Sequence, residues 1–311
     1  MMEEQKQQVI GVWNGVFAYL IWGILPLYWK ALDRVLSEEI LAHRIFWSFA
    51  IMIVGLLLFK KWKSFVEDLK IILKKPIMLL SVILSGILIS GNWLTYIWAV
   101  NNDHVLETSL GYYINPLISV LLGIIVLKER LNVAQIISFI LAAIGVFVLT
   151  IQYGKVPWVA LLLGISFGLY GLAKKKVKLS STTGLTVETM AVTPIAILYL
   201  VYLFIDGKGQ FAHISISTDL LLIGTGVVTA IPLLMFAEAA KRVPLSMIGF
   251  LQYIAPTITL LLGVFVFHEQ FTKTHFIAFA FIWLALIIYS LSTAKRIRRA
   301  RLQMPEKETI A

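Results

Sequence analysis

The chain has 311 residues, of which 59% are hydrophobic and only 14% charged. A soluble domain carries roughly a quarter charged residues, so that class is excluded. There is no cysteine, which excludes disulfides, thiolate metal sites and cysteine nucleophiles, and the net charge of +10 sits in short runs between apolar blocks rather than on a nucleic-acid-binding face.

The apolar blocks are each long enough to cross ~30 Å of hydrocarbon. In chain order they predict spans near 9–29, 37–59, 76–99, 104–127, 131–151, 156–174, 184–205, 218–240, 245–267 and 272–294. Segment 60–75 reads as a basic loop, and the third and fourth spans are joined by the short polar turn Asn101-Asn102-Asp103. The first block is span-length and lacks a small-x-small cleavage site, so it reads as a span and not a cleaved leader. The expected fold is an all-α polytopic membrane protein with ten transmembrane helices.

Loop charges predict its orientation. With the N-terminus inside, 21 of the 27 Lys and Arg residues fall in inside segments and five (Lys30, Arg34, Lys155, Lys208 and Lys273) in outside loops, while Arg44 lies within a span. Basic residues collect on the cytoplasmic side, which predicts cytoplasmic termini and a multi-pass protein of the cell (inner or plasma) membrane.

The fourth and ninth blocks are related. Tyr113-Ile114-Asn115-Pro116 through Leu121-Leu122-Gly123 to Glu129 recurs as Tyr253-Ile254-Ala255-Pro256 through Leu261-Leu262-Gly263 to Glu269, with nine identities among 17 positions at an offset of 140. A weaker offset of 145 pairs Trp13 with Trp158, Gly23 with Gly168 and Trp22 with Phe167. Five spans per copy is an odd number, so the second copy enters the membrane from the opposite side. This inverted repeat predicts units at 1–152 and 153–294, a basic tail at 295–311, and a site between the units near mid-membrane.

Tyr113-Ile114-Asn115-Pro116 to Lys128-Glu129-Arg130, with Ala42-His43-Arg44-Ile45-Phe46-Trp47-Ser48, Gly91-Asn92-Trp93-Leu94, Leu110-Gly111-Tyr112 and Phe279-Ala280-Phe281-Ile282-Trp283, resembles the EamA-type ten-helix branch of the drug/metabolite transporter superfamily. Within that branch the chain looks like the RarD family of chloramphenicol-sensitivity permeases, over about residues 10 to 290. The resemblance implies a central cavity formed by spans 1–4 and 6–9, with spans 5 and 10 peripheral.

Ionisable groups inside spans are costly unless paired or hydrated, so they are the first site candidates. Arg44 sits about two turns into the second span. It is expected either to hold an anionic or zwitterionic substrate or to pair with Glu107 at similar depth. Glu188, the repeat counterpart of His43, is a candidate coupling carboxylate or the partner of a nearby Lys. Glu107 and His43 are further coupling candidates, although Glu107 and Glu238 lie near interfaces and His43 suits a structural hydrogen bond. Asn92 and Trp93 lie mid-span, where a buried amide must face protein or cavity. Tyr112, Tyr113, Gln252 and Tyr253 precede the repeat prolines, which free a carbonyl and permit a bend. With Trp22 as a wall, these residues are the expected substrate site. Trp29 reads as an interface-belt residue, Glu129 and Glu269 as caps of the following helices, and Gly123 and Gly263 as close-packing positions.

The expected function is a secondary active transporter of a small organic metabolite or drug-like molecule, working by alternating access with proton or exchange coupling. A channel-like facilitator and an intramembrane enzyme are the alternatives. The enzyme is disfavoured because the spans hold no His-Glu-x-x-His or paired-Asp motif. No cofactor or metal is expected. The expected partners are the substrate and the lipid bilayer, not nucleic acid, with a homodimer left open.

Overall fold

The computed structural model describes residues 2–101, 104–176, 179–268 and 271–302, and these hold helices and no strand. The expected turn residues Asn102 and Asp103 and the expected cap Glu269 lie outside the described residues. Helices α1 (Met2–Lys30), α2 (Ser37–Leu58), α4 (Pro76–Asn101), α5 (Val105–Ile125) and α6 (Val133–Tyr153) are the first five spans, with the short α3 (Trp62–Lys74) between α2 and α4. Helices α7 (Trp158–Lys176), α8 (Ser181–Ile205) and α9 (Ile216–Arg242) follow. The ninth span is made of α10 (Leu245–Gln252) and α11 (Ile254–Phe265), and α12 (Lys273–Leu302) is the tenth. Among the described residues, ten stretches are long and apolar enough to cross a membrane, as the apolar blocks predict.

Three details differ from expectation. Segment 60–75 is not a loop, because Phe65, Val66, Leu69 and Ile72 recur at helical spacing and pack with Leu56, Val82 and Val187. Its lysines disguise that period by occupying the outer face. The two repeat prolines also behave differently: α5 runs through Pro116 unbroken, whereas the ninth span breaks at Tyr253, three residues before Pro256. The last helix continues to Leu302, past the expected end at 294.

Helix ends carry standard chemistry. Asn132 and Gln135 form a reciprocal capping box at the start of α6, and Gly154 closes it in the left-handed conformation. Ser180 and Ser215 accept from the backbone N–H three residues on, opening α8 and α9. The turns after α5 and α11 share one geometry, with Lys128 at φ 54° and His268, 140 residues later, at φ 55°.

Contacts between the first five spans and the last five come in matched sets. Helix α1 packs on α9 and on α10 and α11, as α7 packs on α4 and α5. Helix α2 lies on α9 as α8 lies on α4, while α2 with α8, α5 with α10 and α6 with α12 pair with their own counterparts. A two-fold relation between the units gives this exchange. Helices α6 and α12 lie together at one side, so the interior belongs to the other eight spans, as the resemblance implies. Because successive spans alternate in direction, Trp29, Arg44, Tyr96 and Tyr112 share one end of the bundle, and the chain starts at the other, far end.

Candidate substrate-binding site

The site forms around Arg44. Seven positions after the start of α2, its guanidinium lies over two indoles, 4.6 Å from the ring centre of Trp93 on α4 and 4.9 Å from that of Trp29 on α1. Such stacking offsets part of the cost of a cation in a low-dielectric interior. Its Nε donates to Thr229 Oγ1 on α9 at 3.2 Å. Tyr96, one turn beyond Trp93, and Tyr112 on α5 are its electrostatic neighbours. Their rings lie 6.0 Å apart. Tyr96 is 36% and Tyr112 49% exposed, so this group borders open space.

Glu107 does not pair with Arg44, and among the described residues no carboxylate does. Glu107 is instead buried against the start of α7. It accepts from Tyr153 Oη at 2.6 Å and Val159 N at 2.9 Å, and it meets His104 Nδ1 at 2.7 Å. The similar depth of Arg44 and Glu107 hid the fact that their side chains leave their helices in different directions. Glu107 is therefore neither solvated nor a mate for Arg44.

Other predicted residues hold the bundle together. Asn92 Nδ2 donates to Leu163 O at 2.8 Å and Ser166 Oγ at 2.9 Å, joining α4 to α7. Gln252 and Ser119 exchange hydrogen bonds of 3.0 and 3.2 Å, joining α10 to α5. Tyr113 lies edge-on to Phe279 at 5.2 Å, on the side of the peripheral helices, and Tyr253 is buried. Trp22 meets Phe167, its partner at the 145-residue offset, at 5.9 Å, and with Tyr19, Tyr170 and Phe236 they fill the centre. His43 turns away from Arg44. It accepts from Trp47 Nε1 at 3.1 Å and lies against Phe211.

Beyond the aromatic centre, toward the far end, Glu188 pairs with Lys174 at 2.7 Å and accepts from Tyr170 Oη at 3.5 Å. The Lys-partner reading of Glu188 is the one the geometry contains. A small, mostly apolar cavity between Trp93 and Glu188 is lined by Ile45, Ser48, Leu185, Thr189 and Leu233 among others. Glu238 pairs with Arg242 one turn on, near the interface.

At the far end Glu129 and Arg242 make connections that cross between the two units, and Lys175 and Lys241 make others within the second unit. Glu129 accepts from the N–H groups of Leu245 at 2.7 Å and Ser246 at 2.9 Å, so it caps α10 and not the next helix, which has its own capping box. Gly123 makes room for this, since a Cβ there would lie 2.7 Å from Glu129 Oε2. Lys175 donates to Val243 O at 2.6 Å at the end of α9, Lys241 to Ser181 Oγ at 2.8 Å and Arg242 to Gln7 at 2.9 Å.

Trp29, Tyr96 and Thr229 were missing from the sequence-based set. Tyr96 was within reach of it, being one helical turn from Trp93 and so on the same face. Trp29 near a helix end looks like any interface tryptophan, and nothing local marks Thr229 among the span hydroxyls.

An apolar bundle with an unpaired arginine in its interior is a transporter-like arrangement, and the comparisons agree. The EamA-like transporter family matches residues 9–151 and again 155–291. The chain belongs to that family. It is 51% identical over 286 residues to the uncharacterized transporter YojE of Bacillus subtilis, covering 92% of this chain and 95% of that one. It is 42% identical over 296 residues to protein RarD of Escherichia coli, covering 95% and 99%. A crystal structure of a 20% identical protein superposes with a TM-score of 0.69 over 90% of this chain and 97% of the other, which is a likeness of fold. Ten apolar helices and this membership make the chain a multi-pass membrane transporter of RarD type.

Proposed function

We propose that this EamA-family chain is a secondary active transporter that moves a small organic molecule through a central site by alternating access, with units 1–152 and 153–294 as the moving parts. The observation that carries this is Arg44, a cation inside the bundle that no protein carboxylate neutralises among the described residues. A buried charge without a partner is expensive, and a substrate that brings the counter-charge recovers that cost on binding. Arg44, Trp93 and Tyr112 are the substrate contacts, with Trp29, Tyr96 and Thr229 added to them. Asn92, Trp22, Tyr113, Gln252 and Tyr253 shape the surrounding scaffold.

The clasps at the far end support alternating access. Glu129 and Arg242 close that end across the units, while the Arg44 end keeps half-exposed tyrosines. Basic runs at Lys174–Lys176 and Lys241–Arg242 make the far end the cytoplasmic one, in a protein of the cell membrane with both termini inside. The state described is then closed toward the cytoplasm. Glu188 is the coupling group: a proton on its carboxylate leaves Lys174 without a counter-ion and loosens α7 from α8. Glu107 and His43 are committed to structural bonds and are poorer candidates.

The test is counterflow in proteoliposomes made with the purified full-length chain and a panel of metabolites and antibiotics. Saturable exchange of one solute supports the proposal. Unitary conductance steps without counterflow favour a channel, and conversion of the solute instead of its movement favours an enzyme.

A further inference from the structure

The donors of Arg44 narrow the substrate class. The guanidinium lies over the rings of Trp29 and Trp93, and Nε is taken by Thr229. The Nη hydrogens meet no acceptor among the described residues, and the Nη atoms are not sealed inside the protein. What remains is the terminal edge of the fork, which matches a carboxylate bidentately. The cation is single. Lys30 and Arg34, at the same end, are exposed, and Lys174, Lys175 and Lys241 are engaged at the far end.

One positive charge in an apolar interior balances a monoanion. A phosphate monoester would bring a second negative charge with nothing to meet it. An α-amino acid has the opposite difficulty. Its ammonium lies two bonds from its carboxylate and must stay beside Arg44, where no carboxylate stands. Glu39 is held by the N–H groups of Gln210 and Phe211, Glu107 by Tyr153 and Val159, and Glu188 by Lys174. Around the open edge stand the rings of Trp29, Trp93, Tyr96 and Tyr112, which suit a flat aromatic body.

We infer that the Arg44 site takes a small aromatic monocarboxylate without a charged amine, its carboxylate on the Nη edge of Arg44 and its ring against Trp93, Tyr96 and Tyr112. This rests on the reading of Arg44 as a substrate contact of a transporter.

Binding and flux separate the two claims. Binding is measured by calorimetry on the full-length protein in detergent, with cinnamate and indole-3-acetate as probes and L-phenylalanine, phenyl phosphate and cinnamamide as controls. Both acids are expected to bind at least about tenfold more tightly than each control, and Arg44→Lys, which keeps the charge and loses the fork, to weaken them by about tenfold or more. Tyr112→Phe checks that altering the site leaves a folded protein, and it should keep at least part of the binding. The inference is overturned if neither acid binds wild type, if L-phenylalanine binds as well as cinnamate, or if Arg44→Lys binds them unchanged. Failure of every solute in counterflow, with acid binding intact, overturns the transport reading and leaves the binding assignment standing.

Discussion

Tyr253 donates its hydroxyl to the backbone carbonyl of Tyr113 at 3.4 Å, and these two residues, 140 apart, are the same position in the two copies of the repeat. Trp22 and Phe167, equivalent at an offset of 145, also meet. Residues related by a two-fold operation touch only beside its axis, so the axis passes close to both pairs. Arg44 stands off it. Its equivalent, Thr189, is buried and bonds the carbonyls of Leu185 and Thr186 in its own helix. The substrate site is thus an asymmetric feature on a near-symmetric frame.

Replacing Arg44 tests this directly. The guanidinium has no carboxylate mate among the described residues, so Arg44→Met should leave the melting temperature unchanged or slightly raised, where breaking a true buried pair costs about 3–5 kcal/mol. Flux should fall by about 100-fold or more, the loss expected when a buried charge contact to substrate is removed. Thermal unfolding in detergent and counterflow on one preparation give both numbers. Wild-type flux would remove Arg44 from the site.

The apolar blocks, the repeat and Arg44 were legible because each is a local or strictly periodic signal. The partners of Arg44 were not. Trp29 comes from the preceding helix and Thr229 lies 185 positions away, and no local pattern states which faces meet. The paired prolines predicted two equal bends, yet only the second breaks its helix, so packing and not proline alone decides. The carboxylates misled in a consistent way. Glu107 and Glu129 satisfy backbone N–H groups of distant segments, a role open to any acidic residue near a helix end.

Glu129 should control closure of the far end. Charge-assisted hydrogen bonds are worth about 1.5–3 kcal/mol, so Glu129→Ala should open that end by roughly tenfold or more and Glu129→Gln by less. The chain has no cysteine, so a single Ser246→Cys reports cleanly. Ser246 is 3% exposed, and its maleimide labelling should speed up in the Glu129→Ala background. An unchanged rate would mean the clasp does not hold this end shut.

Glu188 and Lys174 call for a double-mutant cycle. Glu188→Gln strands a buried ammonium, and Lys174→Met strands a buried carboxylate. Each should destabilise by about 3–5 kcal/mol, and the double variant by clearly less than their sum. If Glu188 is the coupling group, Glu188→Gln exchanges substrate independently of pH and no longer concentrates it. Preserved uphill transport would assign the pair to structure alone.

The crossing of α5 and α10 sets the last expectation. A Cβ on Gly249 would lie 2.6 Å from Val120 Cγ2 and 2.7 Å from the carbonyl of Pro116. The valine methyl can turn aside, but the backbone carbonyl cannot. Gly249→Ala therefore has to push α10 away from α5, which should cost about 1–3 kcal/mol. The Ser119–Gln252 bonds span the same interface one turn further on, so they should weaken with it. Thermal unfolding of Gly249→Ala, alone and combined with Gln252→Leu, separates the effects. If the steric displacement already breaks the Gln252 bonds, the double variant is little worse than the glycine change alone. Additive losses would show that the crossing absorbs the methyl group locally.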